Sequence, residues 1–360
     1  MGDSSSASPR SDAAVAVVHA AVELVAVTVD SYNVELRDAE GFIGDRASRR
    51  AFRAIVDETR ERLRDVARDP LGDTPTEALN KKKLDKLLTE GEPEAAGVIQ
   101  GAIEEFSSEL ATVITRLLKL KEWRRTQRIV VGGGLRASRV GELVIGRASV
   151  LVKQAGHHLD LVPIHNHPDE AGLMGAVHLA PAWMLAGHDG VLALDIGGSN
   201  IRAGVVGMPG KKKPNLDKCA VEEMQLWRYA DDATKPTRDD AVTRICDMVN
   251  GLKRWAKRHD CQLAPFIGVA CPGVIAADGH IERGGQNLPG NWESSRFNLP
   301  QRIRDAIPRI NDHDTVVVMH NDAVVQGLSE LPFVADVAEW AVLTIGTGLG
   351  NAKFTNRRRD

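Results

Sequence analysis

Two stretches of this chain pair glycine turns with residues that handle phosphate. In the first, G-V-L-A-L-D-I-G-G-S-N-I-R-A-G-V-V-G at residues 190–207, two apolar runs flank Asp195 and the pair Gly197-Gly198. Apolar runs joined by a glycine pair predict a hairpin. Backbone N–H groups exposed at such a turn, with the side chains of Ser199 and Asn200 beside them, make a concavity suited to phosphate oxygens. Asp195, at the end of a buried strand, is placed to hold a hydrated divalent cation facing those oxygens. The second stretch, A-V-L-T-I-G-T-G-L-G-N-A-K-F-T at 341–355, repeats strand, glycine turn and strand, with the Thr347 hydroxyl between Gly346 and Gly348. Between the two, a strand over 316–319 runs through His320-Asn321-Asp322 into a helix. A carboxylate at the carboxyl end of a strand faces the cleft of an open α/β sheet. Within reach of a substrate hydroxyl, Asp322 would serve as general base. A helix N-cap is the plainer role, and the two are compatible.

Other chemistry is weaker or absent. Neither turn is a P-loop, because no Gly-Lys-Ser/Thr follows, and neither has dinucleotide-fingerprint spacing. R-I-V-V-G-G-G-L-R-A-S at 128–138 predicts a buried strand running into Gly132, Gly133 and Gly134, which let a flat ligand or a phosphate approach the backbone. G-G-Q-N-L-P-G-N-W at 284–292 is a loop anchored by Trp292, and rigidly held loops carry function. His165-Asn166-His167-Pro168-Asp169 has the look of a metal cluster, but Asp169 precedes a small-residue helix and reads better as its cap.

The elements that must position these residues follow from periodicity. A valine-rich run over 13–29 predicts a pair of buried strands, too short at about 17 residues to cross a bilayer. Helices are predicted from Ser48 to before Pro70, with Phe52, Ile55, Val56, Leu63 and Val66 on one face, and from a start at Thr74-Pro75-Thr76-Glu77 through Leu79, Leu84, Leu87 and Leu88. The longest opens at Glu92-Pro93-Glu94 and carries Ile99, Ile103, Phe106, Leu110, Val113, Ile114, Leu117 and Leu118 as a core stripe. Another spans 239–256. Residues 1–11 read as a Ser-rich tail.

A chain of 360 residues is long enough for two cores. A net charge of −3 gives no basic field for nucleic acid. Four scattered cysteines without C-x-x-C spacing imply a reduced, cytoplasmic protein. A small-molecule substrate is therefore expected, with neither a nucleic-acid nor a membrane partner.

In their order, D-I-G-G-S-N-I-R-A-G, C-P-G, N-L-P-G-N-W, H-N-D-A and G-T-G-L-G resemble the motifs of the ROK sugar kinases, of the actin and hexokinase superfamily. In that family a Glu-containing segment, paired helices, a strand ending in Gly-Gly-Gly and an A-G-L-I-G-A-A helix follow the G-T-G-x-G turn. Here A-E-G-F-I-G-D-R, helices, I-V-V-G-G-G and A-G-L-M-G-A precede Asp195 in the same relative order. The resemblance thus implies a circular permutation, with the usual termini fused near 186–190. It implies an α/β fold of two actin/ribonuclease-H-like domains around a central cleft: a larger one from 1–165 and 325–360, and a smaller one from 166–324.

Carried over, the resemblance makes Asp322 the base and gives sugar hydroxyls to Asn321 and Asn287. Glu40 aligns with a sugar-contacting glutamate. Asp195 would orient Mg²⁺, while Gly197, Gly198, Ser199, Asn200, Thr347 and Gly348 bind ATP phosphates and Gly133 and Gly134 flank the adenosine. The substrate would be a sugar or polyol and the protein a possible homodimer. The family's Glu-x-Gly-His motif and its Cys-x-Cys-Gly-x-x-Gly-Cys zinc loop are missing, so no structural zinc is expected, and Tyr32, Asn33 or Glu35 stand where replacements would fall. The missing contacts leave a second reading open, a ROK-like sugar-binding or regulatory protein impaired in catalysis. A third is an actin-like ATPase that acts on no sugar.

Overall fold

The structure, a computed structural model, describes residues 18–210 and 212–357. The tail read at 1–11 lies outside the described residues. The chain opens on strand β1 (Val27–Tyr32), the short pair β2 (Arg37–Asp38) and β3 (Gly41–Phe42), and helix α1 (Arg49–Arg64). Helices α2 (Lys81–Glu90) and α3 (Pro93–Leu117), strand β4 (Arg128–Gly132), helix α4 (Arg139–Gln154) and strand β5 (Asp160–Pro163) come next. Short helices α5 (Ala171–Ala176) and α6 (Ala182–Leu185) lead to β6 (Gly190–Ile196), β7 (Ile201–Gly207) and β8 (Ala220–Trp227). Then come helix α7 (Arg238–Arg258), β9 (Leu263–Cys271), β10 (Val274–Ile275), β11 (Ile281–Arg283) and helix α8 (Leu299–Ala306). The last elements are β12 (Arg309–Ile310), β13 (His313–Asp314), β14 (Val316–Asn321), helix α9 (Asp322–Leu328), β15 (Glu339–Ile345) and β16 (Leu349–Asn356).

Two five-stranded sheets share one plan. In the first, ordered β8-β7-β6-β9-β14, the strands β6, β7 and β8 form an antiparallel meander, and β9 and β14 run parallel to β6. In the second, ordered β1-β16-β15-β4-β5, the antiparallel meander is β15, β16 and β1, and β4 and β5 run parallel to β15. The first sheet is built in straight chain order. The second takes two strands from the end of the chain and three from its beginning.

The central strands β6 and β15 are buried at every position, which is why both read as unbroken apolar runs. One face of the second sheet packs on α1, α3 and α4. Helices α5 and α9 lie between the sheets, sharing one core with Val130, Val342 and Phe354 on one side and Val191, Ala270 and Val318 on the other. They cross closely, since a Cβ at Gly175 would collide with the Val325 carbonyl oxygen. The far face of the first sheet packs on α7 and α8.

Several local expectations hold for physical reasons. Ser48 caps α1 by accepting from the Ala51 amide, Pro93 sits in the first turn of α3, and Thr237 and Asp240 form a capping box on α7. Others give way. Within the described part of the valine-rich run only β1 is a strand, and Val22 and Val25 are exposed. The segment before β1 is held to β14 instead, with the Ala20 amide donating to the Met319 carbonyl. Thr76 opens only a single 3-10 turn, and the helix proper begins after Asn80, whose side chain accepts from the Lys83 amide. Val66 lies past the end of α1 and is exposed, while the buried face of that helix includes Arg60, satisfied by Asp69, Thr76 and two backbone carbonyls.

Candidate functional site

The β6–β7 hairpin closes through a Gly197 amide donating to the Asn200 carbonyl, and the β15–β16 hairpin through a Gly346 amide donating to the Gly348 carbonyl. The two turns meet, with Ser199 Oγ and Thr347 Oγ1 3.2 Å apart. Asn287, from the loop after β11, packs on the first turn so closely that a Cβ at Gly198 would lie 3.0 Å from its own Cβ. Tyr229 buttresses that turn from behind, donating its hydroxyl to the Gly197 carbonyl at 2.6 Å. Next to the second turn, Gly133 adopts φ +92° and lies against Ile345, whose carbonyl leaves no room for a side chain. Gly134 faces open space.

These turns form the mouth of a cleft of about 670 Å³, lined by Gly133, Gly134, Asp195, Gly197, Gly198, Ser199, Asn200, Asn287, Asp322, Thr347 and Gly348. The sequence-identified glycine, hydroxyl and carboxylate groups, scattered over more than 200 positions, therefore share one cavity. Glu40 joins them only at the rim, exposed and paired with Arg46 at 2.9 Å. Asn33 and Glu35 also line the wall. Tyr32 does not, since its ring packs edge-on to His320 and its hydroxyl bonds the Ile275 carbonyl.

Asn321 departs from its expected role. It is 1% exposed, its Nδ2 donates to the Gly273 carbonyl, and its Oδ1 accepts from the Ala323 and Val324 amides. Both ends of the amide are spent inside the protein, so Asn321 caps α9 and positions Asp322 rather than reaching a hydroxyl. Asp322 is the first residue of α9, and its Oδ1 accepts from the Ala323 amide. Burial, followed by the negative charge of Asp195, pushes its carboxyl up to about 7, with the helix amides pulling the other way. A carboxyl with that proton affinity is matched to proton transfer at neutral pH.

Asp195 is buried at the end of β6, and burial pushes its carboxyl above the usual range even though Arg202 is beside it. Arg202 Nη1 reaches Asp195 Oδ2 at 3.2 Å, and its Nη2 reaches Asp169 Oδ1 at 2.5 Å. Asp169 is therefore no helix cap. Glu170 stands at the N-cap of α5 without a side-chain bond, and Asp169 turns into the cleft to share the arginine. The Arg202 bridge was missed, although its signal was present: with Ile196 paired to Ile201 across the turn, Asp195 must face Arg202.

Among the described residues no three His, Cys, Asp or Glu side chains converge as a metal cage. The acids at the turn still suit Mg²⁺, which keeps most of its waters and takes one or two carboxylates together with substrate phosphates. Asp195 at the foot of a phosphate-sized glycine turn is such a donor. His165 lies with its Nδ1 2.7 Å from Glu330 Oε2, and its ring stacks on Phe333. No described helix is long and apolar enough to cross a membrane.

No protein-family model matches this chain, and no curated protein matches it. Among solved structures it is similar to a ROK family glucokinase from Streptomyces griseus in complex with glucose and AMPPNP. That likeness has 22% identity over 48% of this chain and 47% of the other, with a TM-score of 0.34. It is similar also to the ROK hexokinase of Thermus thermophilus, with 19% identity over 45% of each chain and a TM-score of 0.29. An exopolyphosphatase from Cytophaga hutchinsonii shares 18% identity over 47% of this chain and 52% of its own, with a TM-score of 0.28. Each match spans about half of the solved chain.

Proposed function

We propose that this protein is an ATP-dependent carbohydrate kinase of the ROK type whose chain is circularly permuted. The observation that carries the reading is the meeting of two glycine turns, Ser199 Oγ to Thr347 Oγ1 at 3.2 Å, over a cleft that also holds Asp195 and Asp322. Phosphoryl transfer asks little covalent chemistry of a protein, mainly positioning and neutralisation of charge. Turns of bare backbone amides and hydroxyls, one carboxylate for a metal and one carboxylate for a proton are the parts it needs.

In this reading Asp322 takes the proton of the attacking hydroxyl. Asn287 and Glu40 contact the sugar, and Asn321 fixes the helix that aims the base. Amides and hydroxyls of Gly197, Gly198, Ser199, Asn200, Thr347 and Gly348 hold the nucleotide phosphates, and Gly133 and Gly134 leave a flat surface for its base. Asp195 would hold Mg²⁺, which draws charge from the phosphate oxygens when bound. The permutation is supported by the second sheet, whose strand plan equals that of the first only when β1 is read as following β16. The two lobes would then divide near residues 165 and 325.

A coupled assay of ADP release over hexoses, amino sugars and polyols tests the reading. A sugar-stimulated rate that falls by about 10²- to 10⁴-fold in Asp322→Asn, with the fold intact, is expected of a lost general base. Unchanged turnover in that variant would refute the base assignment, and ATP hydrolysis indifferent to every sugar would refute the kinase.

A further inference from the structure

Four cations line the cleft: Arg37, Arg49, Arg50 and Arg202. Arg202 is held between Asp195 and Asp169, and Arg37 lies 3.3 Å from Glu35. The other two have no carboxylate partner among the described residues. Arg50 touches the second glycine turn, its Nε donating to the Thr347 carbonyl at 3.2 Å and leaving both Nη groups unspent. The backbone amide of Arg49 donates to the Gly346 carbonyl at 3.0 Å, which fixes the start of α1 against the same turn. Burial, followed by the like charge of Arg53, holds the Arg49 guanidinium below its usual range.

The placement runs against local stability. The first turn of α1 carries Arg49 and Arg50 and no acid, at the end of a helix where the dipole favours anions and opposes cations. Sequences that break a local rule without compensation elsewhere do so at functional sites. Two guanidinium groups without a carboxylate partner beside a glycine turn make an anion site, and arginine forks match phosphate oxygens two at a time.

We infer that Arg49 and Arg50 clamp the phosphate chain of the nucleotide from the side of the second glycine turn. They supply the positive charge that Arg202, held by two carboxylates, does not. This assignment rests on the kinase reading and adds to it two positioning residues on an element more than 290 positions from the turn they serve.

Titration calorimetry with ADP, inorganic tripolyphosphate and adenosine tests it on the full chain. Arg49→Gln and the double variant with Arg50→Gln should weaken ADP and tripolyphosphate by about 10- to 100-fold, the range for lost hydrogen bonds to a charged group. Adenosine binding should stay unchanged. Arg53→Gln removes a charge from the next turn of the same helix but not from the cleft wall, and should leave all three ligands as they are. A purely structural role would lower the melting temperature on substitution, whereas Arg49→Gln should hold or raise it, because it relieves the dipole. Equal ADP affinity in wild type and double variant overturns the clamp and leaves the kinase standing. Wild type that binds tripolyphosphate through Arg49 but not ADP supports the clamp and overturns the nucleotide. Wild type that binds neither overturns both.

Discussion

The turn after β6 and the turn after β15 occupy the same place in sheets of the same strand plan, and they present opposite electrostatics to one cleft. The first ends its strand on Asp195, with Asp169 behind it. The second carries Thr344 two residues before its glycine, as the first carries Asp195, and has Arg49 and Arg50 as its charged neighbours. One scaffold, used twice, thus carries acidic side chains at one turn and basic ones at the other. The duplicated backbone provides the two turns and the unequal side chains provide the polarity, which the proposed phosphoryl transfer would use to bring cation and anion together.

The sharpest way to break this comparison is to substitute the matched pair. Asp195→Asn should lower sugar-dependent turnover by about a hundredfold or more, the loss typical of one transition-state charge contact. Thr344→Val should change it little. Turnover at limiting substrate should rise with pH about a midpoint near 7, where Asp322 ionises, and the residual activity of Asp195→Asn should show a lower midpoint, since one of the charges holding Asp322 protonated is gone. The same shift has a stability consequence. Asp322 is raised from an ordinary 3.8, so its neutral form favours the fold, a contribution full below 3.8 and lost as pH rises through about 7. Asp322→Asn should therefore melt above wild type at pH 8 and level with it at pH 4. Equal losses from Asp195→Asn and Thr344→Val would erase the distinction between the turns.

A second contrast lies in how the sheets are held. Where β1 joins β16, the buried Lys353 bridges Asp30 of β1 at 2.9 Å and Glu339 of β15 at 2.5 Å, and Thr355 donates to Asp30. Burial pushes the Glu339 carboxyl up, but Lys353 and Arg125 outweigh it and leave it below the usual range. Its contribution is present above that range and is lost as pH falls. Lys353→Met leaves two carboxylates facing each other and should cost about 3–5 kcal/mol of stability, read by urea denaturation. A neutral outcome would mean that strand pairing alone holds the join. Gly133→Ala comes next, at about 1–3 kcal/mol for forcing a side chain into a positive φ against the Ile345 carbonyl. Gly134→Ala, in open space, should leave the melting temperature alone and raise only the KM for ATP.

The two sides also differed in how far they could be read from sequence. Asp195, Gly197, Ser199 and even the missed Arg202 lie within eight positions, where turn chemistry and strand register fix who faces whom. Asp322 was legible for the same reason, a carboxylate at a strand-to-helix junction. Asp169 was read as a cap because its partner lies 33 positions away, beyond any local rule. Arg50 and Thr347 are 297 positions apart, and nothing in an arginine-rich helix start says which turn it will meet. The valine-rich run misled because strand propensity reports fit to a pleated surface, and the described part before β1 has no such surface to join.

The smallest expected effect comes from moving the chain ends. The amide of Arg357 donates to the Ala26 carbonyl, and its Nη1 to that of Leu24, so the end of β16 already lies beside the segment that enters β1. Joining residue 357 to residue 18 with a Gly/Ser linker long enough to reach the segment beside β14, and opening the chain between Ala186 and Gly190, would place all of β15, β16 and β1 in one continuous meander, as β6, β7 and β8 are now. Closing one loop and opening another changes chain entropy only weakly, since doubling a loop's length costs about 0.6 kcal/mol. Ends close together at a surface are where such rearrangement is tolerated. The rejoined protein should therefore melt within a few degrees of the original and keep its sugar-dependent ADP release. If it folds but loses activity, the break between β16 and β1 is itself part of the site, and the two sheets are not interchangeable versions of one plan.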